Sequence, residues 1–77
     1  MAIKVIFFAS LADRIGKRED FVAPEDISTV RDVWMASVPD QHPPGNTRVA
    51  VNQRYGGFDT GVADGDEVAF FPPVTGG

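Results

Sequence analysis

A two-layer α+β domain, one main helix laid across a single sheet, is the fold class this sequence predicts. Three observations lead to it. The runs Ile3-Lys4-Val5-Ile6-Phe7-Phe8-Ala9 and Glu67-Val68-Ala69-Phe70-Phe71 are β-branched and aromatic, of similar apolar character, and suit the centre of one sheet. Between them lies one convincing amphipathic helix, over residues 30–38. The length, 77 residues, allows one domain and no more, so the helix has only that sheet to cover.

The first strand is expected to start at Ile3, and no leader arm is expected before it. Ser10-Leu11-Ala12-Asp13-Arg14-Ile15-Gly16 follows. Ser10 with an acid three residues on predicts a cap, Leu11 and Ile15 a short helical turn, and Gly16 its end. Residues 18–23 predict a second strand with Phe21 and Ala23 on one face, stopped by Pro24-Glu25-Asp26. Thr29 is a good N-cap for the main helix, with Asp32 at its N3 position. Val30, Val33, Trp34 and Val38 form its apolar stripe, which puts Trp34 in the core. Pro39 ends the helix, and three prolines within 39–46 predict a loop. Residues 47–52 alternate as a third strand. Tyr55-Gly56-Gly57 predicts a turn, and Asp64-Gly65-Asp66 a tight turn into the last strand.

Composition narrows the chemistry. With 43% apolar and 23% charged residues, wholesale disorder is excluded. The absence of cysteine removes disulfides, Cys-ligated zinc, iron–sulfur clusters and a cysteine nucleophile, so the fold must rest on packing. No apolar run approaches the roughly 18–20 residues that span a bilayer, and the first residues do not read as a signal peptide. A cytoplasmic protein without a membrane partner is the expectation. The net charge of -4 argues against a nucleic-acid partner, whose phosphates call for a basic surface. His42, the one histidine, stands beside Pro43 and Pro44 without a second ligand, so it reads as a solvated loop residue and no metal site is expected. Asp64, Asp66 and Glu67 lack the rest of a calcium loop. Ser10, Ser28 and Thr29 read as caps, since one lone His supplies no acid–His–Ser set. Lys17-Arg18 against Glu19-Asp20 reads as a solvated turn.

Strand parity separates two faces. Ile3, Val5, Phe7, Val49, Val51, Val68 and Phe70 form a wholly apolar set that belongs under the helix. The other set mixes Lys4, Arg48 and Glu67 with Ile6, Phe8, Ala50, Ala69 and Phe71. No evident helix covers it. Phe8 and Phe71 there either form a patch for a protein partner or lie under a curled sheet edge or the C-terminal tail. Burying one Phe fully contributes about 1.5–3 kcal/mol, so two could anchor an interface.

The last strand runs into Phe71-Pro72-Pro73-Val74-Thr75-Gly76-Gly77. The two prolines stop sheet pairing and favour an extended path. The expected organisation is therefore a domain over 1–71 and an extended, flexible tail over 72–77. Six extended residues reach roughly 20 Å. Gly76 and Gly77 carry no side chain, so they fit a slot too narrow for a Cβ and could bring a bare carboxylate to a buried site. A frayed terminus is the plain alternative. From residue 56 onward there are four acids and no Lys or Arg, which predicts basic groups on a receiving surface. A carboxylate is a poor electrophile until activated, for example as a mixed anhydride with AMP. The chain has no nucleotide-binding glycine motif, so ATP and Mg²⁺ would have to be held by an activating partner.

The runs Ile3-Lys4-Val5-Ile6-Phe7-Phe8-Ala9, Val51-Asn52-Gln53 and above all Gly65-Asp66-Glu67-Val68-Ala69-Phe70-Phe71-Pro72-Pro73-Val74-Thr75-Gly76-Gly77 resemble the small subunits of molybdopterin synthase. These are sulfur carriers of the ubiquitin-like β-grasp family, and the likeness spans nearly the whole chain. A Gly-Gly end alone would be weak, because ubiquitin and thiamine-pathway carriers share it. The resemblance implies a mixed sheet packed on one main helix. It implies that an adenylating, E1-like enzyme activates Gly77 with ATP. A sulfur donor then converts it to a thiocarboxylate, with Gly76 beside it. The tail enters the large subunit of the synthase, and the sulfur goes to cyclic pyranopterin monophosphate. Catalytic groups are expected on the large subunit, with no cofactor held by this chain. By position, Phe8, Tyr55 and Phe71 would be apolar partner contacts, and Pro72, Pro73, Val74 and Thr75 would lie in the partner's channel. Other readings in the same fold are a carrier for thiamine or tRNA thiolation, or a protein-conjugating modifier. A non-covalent binding module with an inert tail is the reading from another class.

Overall fold

The computed structural model describes residues 1–73, which fold as β1 (Ile3–Phe7), α1 (Ala9–Ile15), β2 (Glu19–Val22), α2 (Val30–Ser37), β3 (Arg48–Val51), β4 (Arg54–Gly56) and β5 (Glu67–Phe71). Val74, Thr75, Gly76 and Gly77, which hold most of the expected tail, lie outside the described residues. The strands form one mixed sheet in the order β2-β1-β5-β3-β4. β1 and β5 pair in parallel, and every other pair is antiparallel. A parallel pair needs a long crossover, and here the intervening chain supplies it. β5 therefore sits in the middle of the sheet, between β1 and β3. This is a ubiquitin-like β-grasp arrangement, with a second, short helix beside the main one.

The inner face follows the parity. Val5 pairs with Val68, Phe7 with Phe70, Val49 with Phe70 and Val51 with Val68. Val30, Val33 and Trp34 of α2 close over them and are fully buried. The Trp34 ring meets Phe70 edge-on at 5.0 Å and Phe7 at 5.9 Å, and Phe7 stacks on Phe70 at 5.7 Å. Such aromatic pairs add about 0.5–1.5 kcal/mol each beyond their area. Trp34 Nε1 donates to the Gln41 carbonyl at 2.9 Å, which ties the proline-rich loop to the core.

Both ends of α2 are held. Thr29 and Asp32 form a capping box, and the Asp32 carboxylate also accepts from the Ser28 amide. Those two amides hold the Asp32 carboxyl below the usual range. Ser28 thus contributes its backbone rather than its hydroxyl. At the other end α2 has no basic residue in its last turn. Lys17 supplies the cation from outside: its Nζ donates to the Ser37 carbonyl at 2.7 Å and to Asp20 at 2.9 Å. Ser37 Oγ donates to the same Asp20 oxygen at 2.7 Å. The solvated turn expected at Lys17 is therefore a strut between β2 and the carbonyl end of α2, where a cation meets the helix dipole favourably.

Two further expectations, at Ser10 and at Tyr55-Gly56-Gly57, are corrected, and that for β2 is completed. Ser10 does not cap α1, because the helix starts directly off β1 with Phe8 at the N-cap and no side-chain cap; the Phe8 carbonyl accepts from the amides of Leu11 and Ala12. Gly16 does end it, at φ 93°. Phe21 and Ala23 do share a face, the outer one, while Val22, opposite Ile3, is buried and the strand itself spans Glu19–Val22. Tyr55-Gly56-Gly57 is not a turn: Arg54–Gly56 is an edge strand paired with β3. The reversal falls at Asn52-Gln53, with φ 51° and 69°, the left-handed pair that a two-residue hairpin needs. Gly56 is small for another reason. A Cβ there would lie 2.7 Å from Thr60 Oγ1, which accepts the Gly57 amide at 2.9 Å.

Candidate functional site: the outer sheet face and the tail root

The sheet register builds the outer face row by row. One row is Phe21–Lys4–Glu67, the next Glu19–Ile6–Ala69–Ala50–Tyr55, and the last pairs Phe71 with Arg48. Ile6, Ala69 and Ala50 make a shallow, half-buried apolar floor. Aromatics stand around it. Phe8 is 49% exposed, Phe21 59% and Tyr55 85%. The Tyr55 and Phe71 rings lie 6.0 Å apart and wall a groove that Arg48 and Gly56 complete. Phe8 leaves β1 just past the Phe7–Phe70 pair, and its amide donates to the Phe70 carbonyl at 3.1 Å. No curled edge covers Phe8, Phe21 or Tyr55, which are exposed, and the tail residues that could lie over this face fall outside the described residues.

The root of the tail lies at the same end of β5. Pro72 and Pro73 follow Phe71 without strand pairing and are half-buried. Pro72 lines a hollow with Leu11 and Arg14 of α1 and with Pro44 and Thr47 of the long loop. The Thr47 hydroxyl oxygen is buried there and has no hydrogen-bond partner among the described residues. The opposite end of β5 is locked. Asn52 Nδ2 donates to Asp66 at 3.0 Å, Asn52 Oδ1 accepts from the Glu67 amide at 3.0 Å, and Asp66 accepts from the Ala63 amide at 2.8 Å. These bonds, Asn52's first, hold the Asp66 carboxyl below the usual range. Gly65 turns the chain at φ 91°. Asn52, Asp66 and the Glu67 amide thus form a clasp that fixes where β5 begins.

Of the residues expected at a site, Tyr55 and Phe71 meet on the outer face, Phe8 lies beside the same end of β5, and Pro72, followed by Pro73, lines the hollow against α1. Val74, Thr75, Gly76 and Gly77 lie outside the described residues. His42 is exposed in its loop, and among the described residues no three His, Cys, Asp or Glu side chains converge. Sequence reasoning missed Phe21 as a member of this face; its signal was the shared parity with Ala23, which became readable once Val22 was placed opposite Ile3.

Fold and face together define a β-grasp domain that offers solvent one aromatic sheet surface and, beside it, the strand that leads to the Gly-Gly end. The chain belongs to the ThiS family, whose model matches residues 5–77. It is similar to the molybdopterin synthase sulfur carrier subunit of Escherichia coli, at 42% identity over 97% of this chain and 99% of the relative. The subunit of the same name from Haemophilus influenzae is 34% identical over 97% of this chain and 99% of its own. Among solved structures, SAMP1 from Haloferax volcanii superposes with a TM-score of 0.78 at 29% identity, each chain fully covered. Among the described residues no helix is long and apolar enough to cross a membrane.

Proposed function

We propose that this chain is the sulfur-carrier small subunit of a molybdopterin synthase. One observation carries the reading: the match to sulfur carrier subunits covers the chain almost end to end, and the family match runs through Gly77. In this reading an E1-like enzyme, holding ATP and Mg²⁺, joins the Gly77 carboxylate to AMP and releases pyrophosphate. Sulfur from a donor then attacks the acyl carbon, AMP leaves, and a thiocarboxylate remains. The tail enters the large synthase subunit, and cyclic pyranopterin monophosphate receives two sulfur atoms, one from each of two carrier chains, to form the dithiolene of molybdopterin, while each Gly77 returns to a carboxylate by taking its oxygen from water. The cycle would run in the cytoplasm.

The domain's part is to dock and to aim. Ile6, Ala50 and Ala69 offer a floor shallow enough for a partner's side chains, and Phe8, Tyr55 and Phe71 supply exposed anchors around it. Anchors of this kind carry most of an interface's energy, because burying aromatic area outweighs the cost of ordering a ring already fixed on a sheet. Pro72 and Pro73 follow β5 without strand pairing and stop it from continuing. The glycines let a partner's channel close to backbone width around the reacting carbon.

Deleting Gly76-Gly77 tests this directly. The truncated chain should keep its circular dichroism and thermal midpoint and lose all sulfur transfer to the pterin precursor in a reconstituted synthase. Activity that survives the deletion overturns the reading. The likeness to SAMP1, a small archaeal modifier protein, favours a second reading, attachment of Gly77 to a lysine of another protein. Mass spectrometry of the chain from its native cells separates a thiocarboxylate from an isopeptide adduct.

A further inference from the structure

The chain carries a net charge of -4, yet the ground around its tail root is positive. Arg48 lies in register with Phe71 and lines the same groove as Tyr55. Arg14 lines the hollow that Pro72 enters. One arginine thus stands on each side of the point where β5 becomes tail. Neither groove nor hollow has an acidic residue in its lining. Among the described residues Lys4, Lys17 and Arg31 are ion-paired, with Glu19, Asp20 and Asp59, whereas Arg14 and Arg48 are exposed and unpaired. Arg18 and Arg54 are also unpaired but lie elsewhere, Arg18 by a separate hollow with Lys17 and Asp13, Arg54 opposite Val51.

The acids of the last third sit away from this root. Asp59 is held by Arg31. Asp66 belongs to the clasp before β5, Asp64 precedes it next to the Gly65 turn, and Glu67 opens that strand, opposite Lys4. The length of β5 puts Glu67 about 16 Å from Pro72, and Asp66 lies one residue before it. The acid count of residues 56–77 therefore misleads about the surface a partner first meets.

We infer that Arg14 and Arg48 form a cationic collar that selects the tail's recipient, and that the large synthase subunit presents carboxylates on the rim of the channel the tail enters. This rests on the sulfur-carrier reading and adds the chemistry of the partner surface. The collar steers encounter and fixes rotation about the tail, while the basic groups that would meet the terminal carboxylate lie deeper in the channel. Rim charges of this kind act mainly on association rate and its salt dependence.

The test is a titration of the full chain against its large subunit, at low and high ionic strength. The set comprises wild type, Arg14→Glu, Arg48→Glu, the double reversal, and a double Lys variant as the conservative control. The double reversal should weaken binding by about tenfold or more at low salt, with the gap closing at high salt, and the Lys variant should keep the wild-type salt slope. Equal affinities across the set overturn the collar and leave the carrier reading standing. A wild-type chain that does not bind the large subunit removes both. If the Arg14 and Arg48 side-chain NMR signals of the free chain move when Gly76-Gly77 are deleted, while partner affinity ignores both reversals, the collar belongs to the chain's own terminal carboxylate and the inference fails.

Discussion

On the inner face of the sheet Phe7 and Phe70 are 2% and 0% exposed, whereas on the outer face Phe8 and Tyr55 stand 49% and 85% open. Phe7 and Phe8 are chain neighbours, so composition does not separate them. Strand pleat sends alternate side chains to opposite sides, and α2 lies on one side only. The inner rings already have partners in Trp34 and in each other, and their energy is committed to holding the fold. The outer rings contribute little to folding, and their apolar area stays available to a partner. One sheet thus divides stability and recognition between its faces, and substitutions on the two should show opposite signatures.

The comparison breaks most sharply at Trp34. Trp34→Ala should cost about 3–5 kcal/mol, enough to unfold much of a domain this small, and equilibrium urea unfolding would measure it. Thr29→Ala removes half of the capping box and should cost about 1 kcal/mol by the same method. An acid titration of stability sharpens the picture of the Lys17 strut. Burial raises the Asp20 carboxyl, but the hydrogen bonds from Lys17, Ser37 and the Phe21 amide outweigh it and hold the group below its ordinary value. A depressed folded-state value means the contribution is complete above about pH 4, where the unfolded group ionises, and fades as pH falls through the folded value. Asp20→Asn should therefore flatten the acid limb of the stability curve, and an unchanged limb would assign it to other carboxylates such as Asp32 and Asp66. The smallest effect on stability belongs to the outer face. Phe71→Ala and Tyr55→Ala should each shift unfolding by under about 1 kcal/mol while weakening the large-subunit complex about tenfold in a calorimetric titration. A substitution that moves stability and leaves affinity alone would place that ring with the inner set.

Much of the frame was legible from local pattern. The outer strands of the sequence, β1 and β5, announced themselves by composition, and α2 by its stripe and its Thr29–Asp32 box. The site was legible in part. Parity placed Phe8 and Phe71 on the outer face, whereas Tyr55 rested on the resemblance alone. β4 was misread because Gly56-Gly57 has the composition of a turn. The true turn, Asn52-Gln53, carries no glycine, and its left-handed backbone is held by Asn52 bonds to Asp66 and Glu67, fourteen and fifteen residues on. Two of the runs quoted for the resemblance, Val51-Asn52-Gln53 and Gly65-Asp66-Glu67, thus meet in space as one clasp.

By itself the sequence determined the periods, caps and breakers, and with them which residues turn inward on each element. These are short-range matters, set by backbone geometry and side-chain shape within a few residues. The tertiary structure alone decided that Lys17 would cap a helix ending twenty residues away, that Phe21 would join the outer face, and that Arg48 would stand opposite Phe71 while Arg14 lines the hollow with Pro72. Those outcomes depend on strand register and the parallel closure of β1 on β5. Pairings over that distance are fixed by the packing of the whole core, which no local window contains.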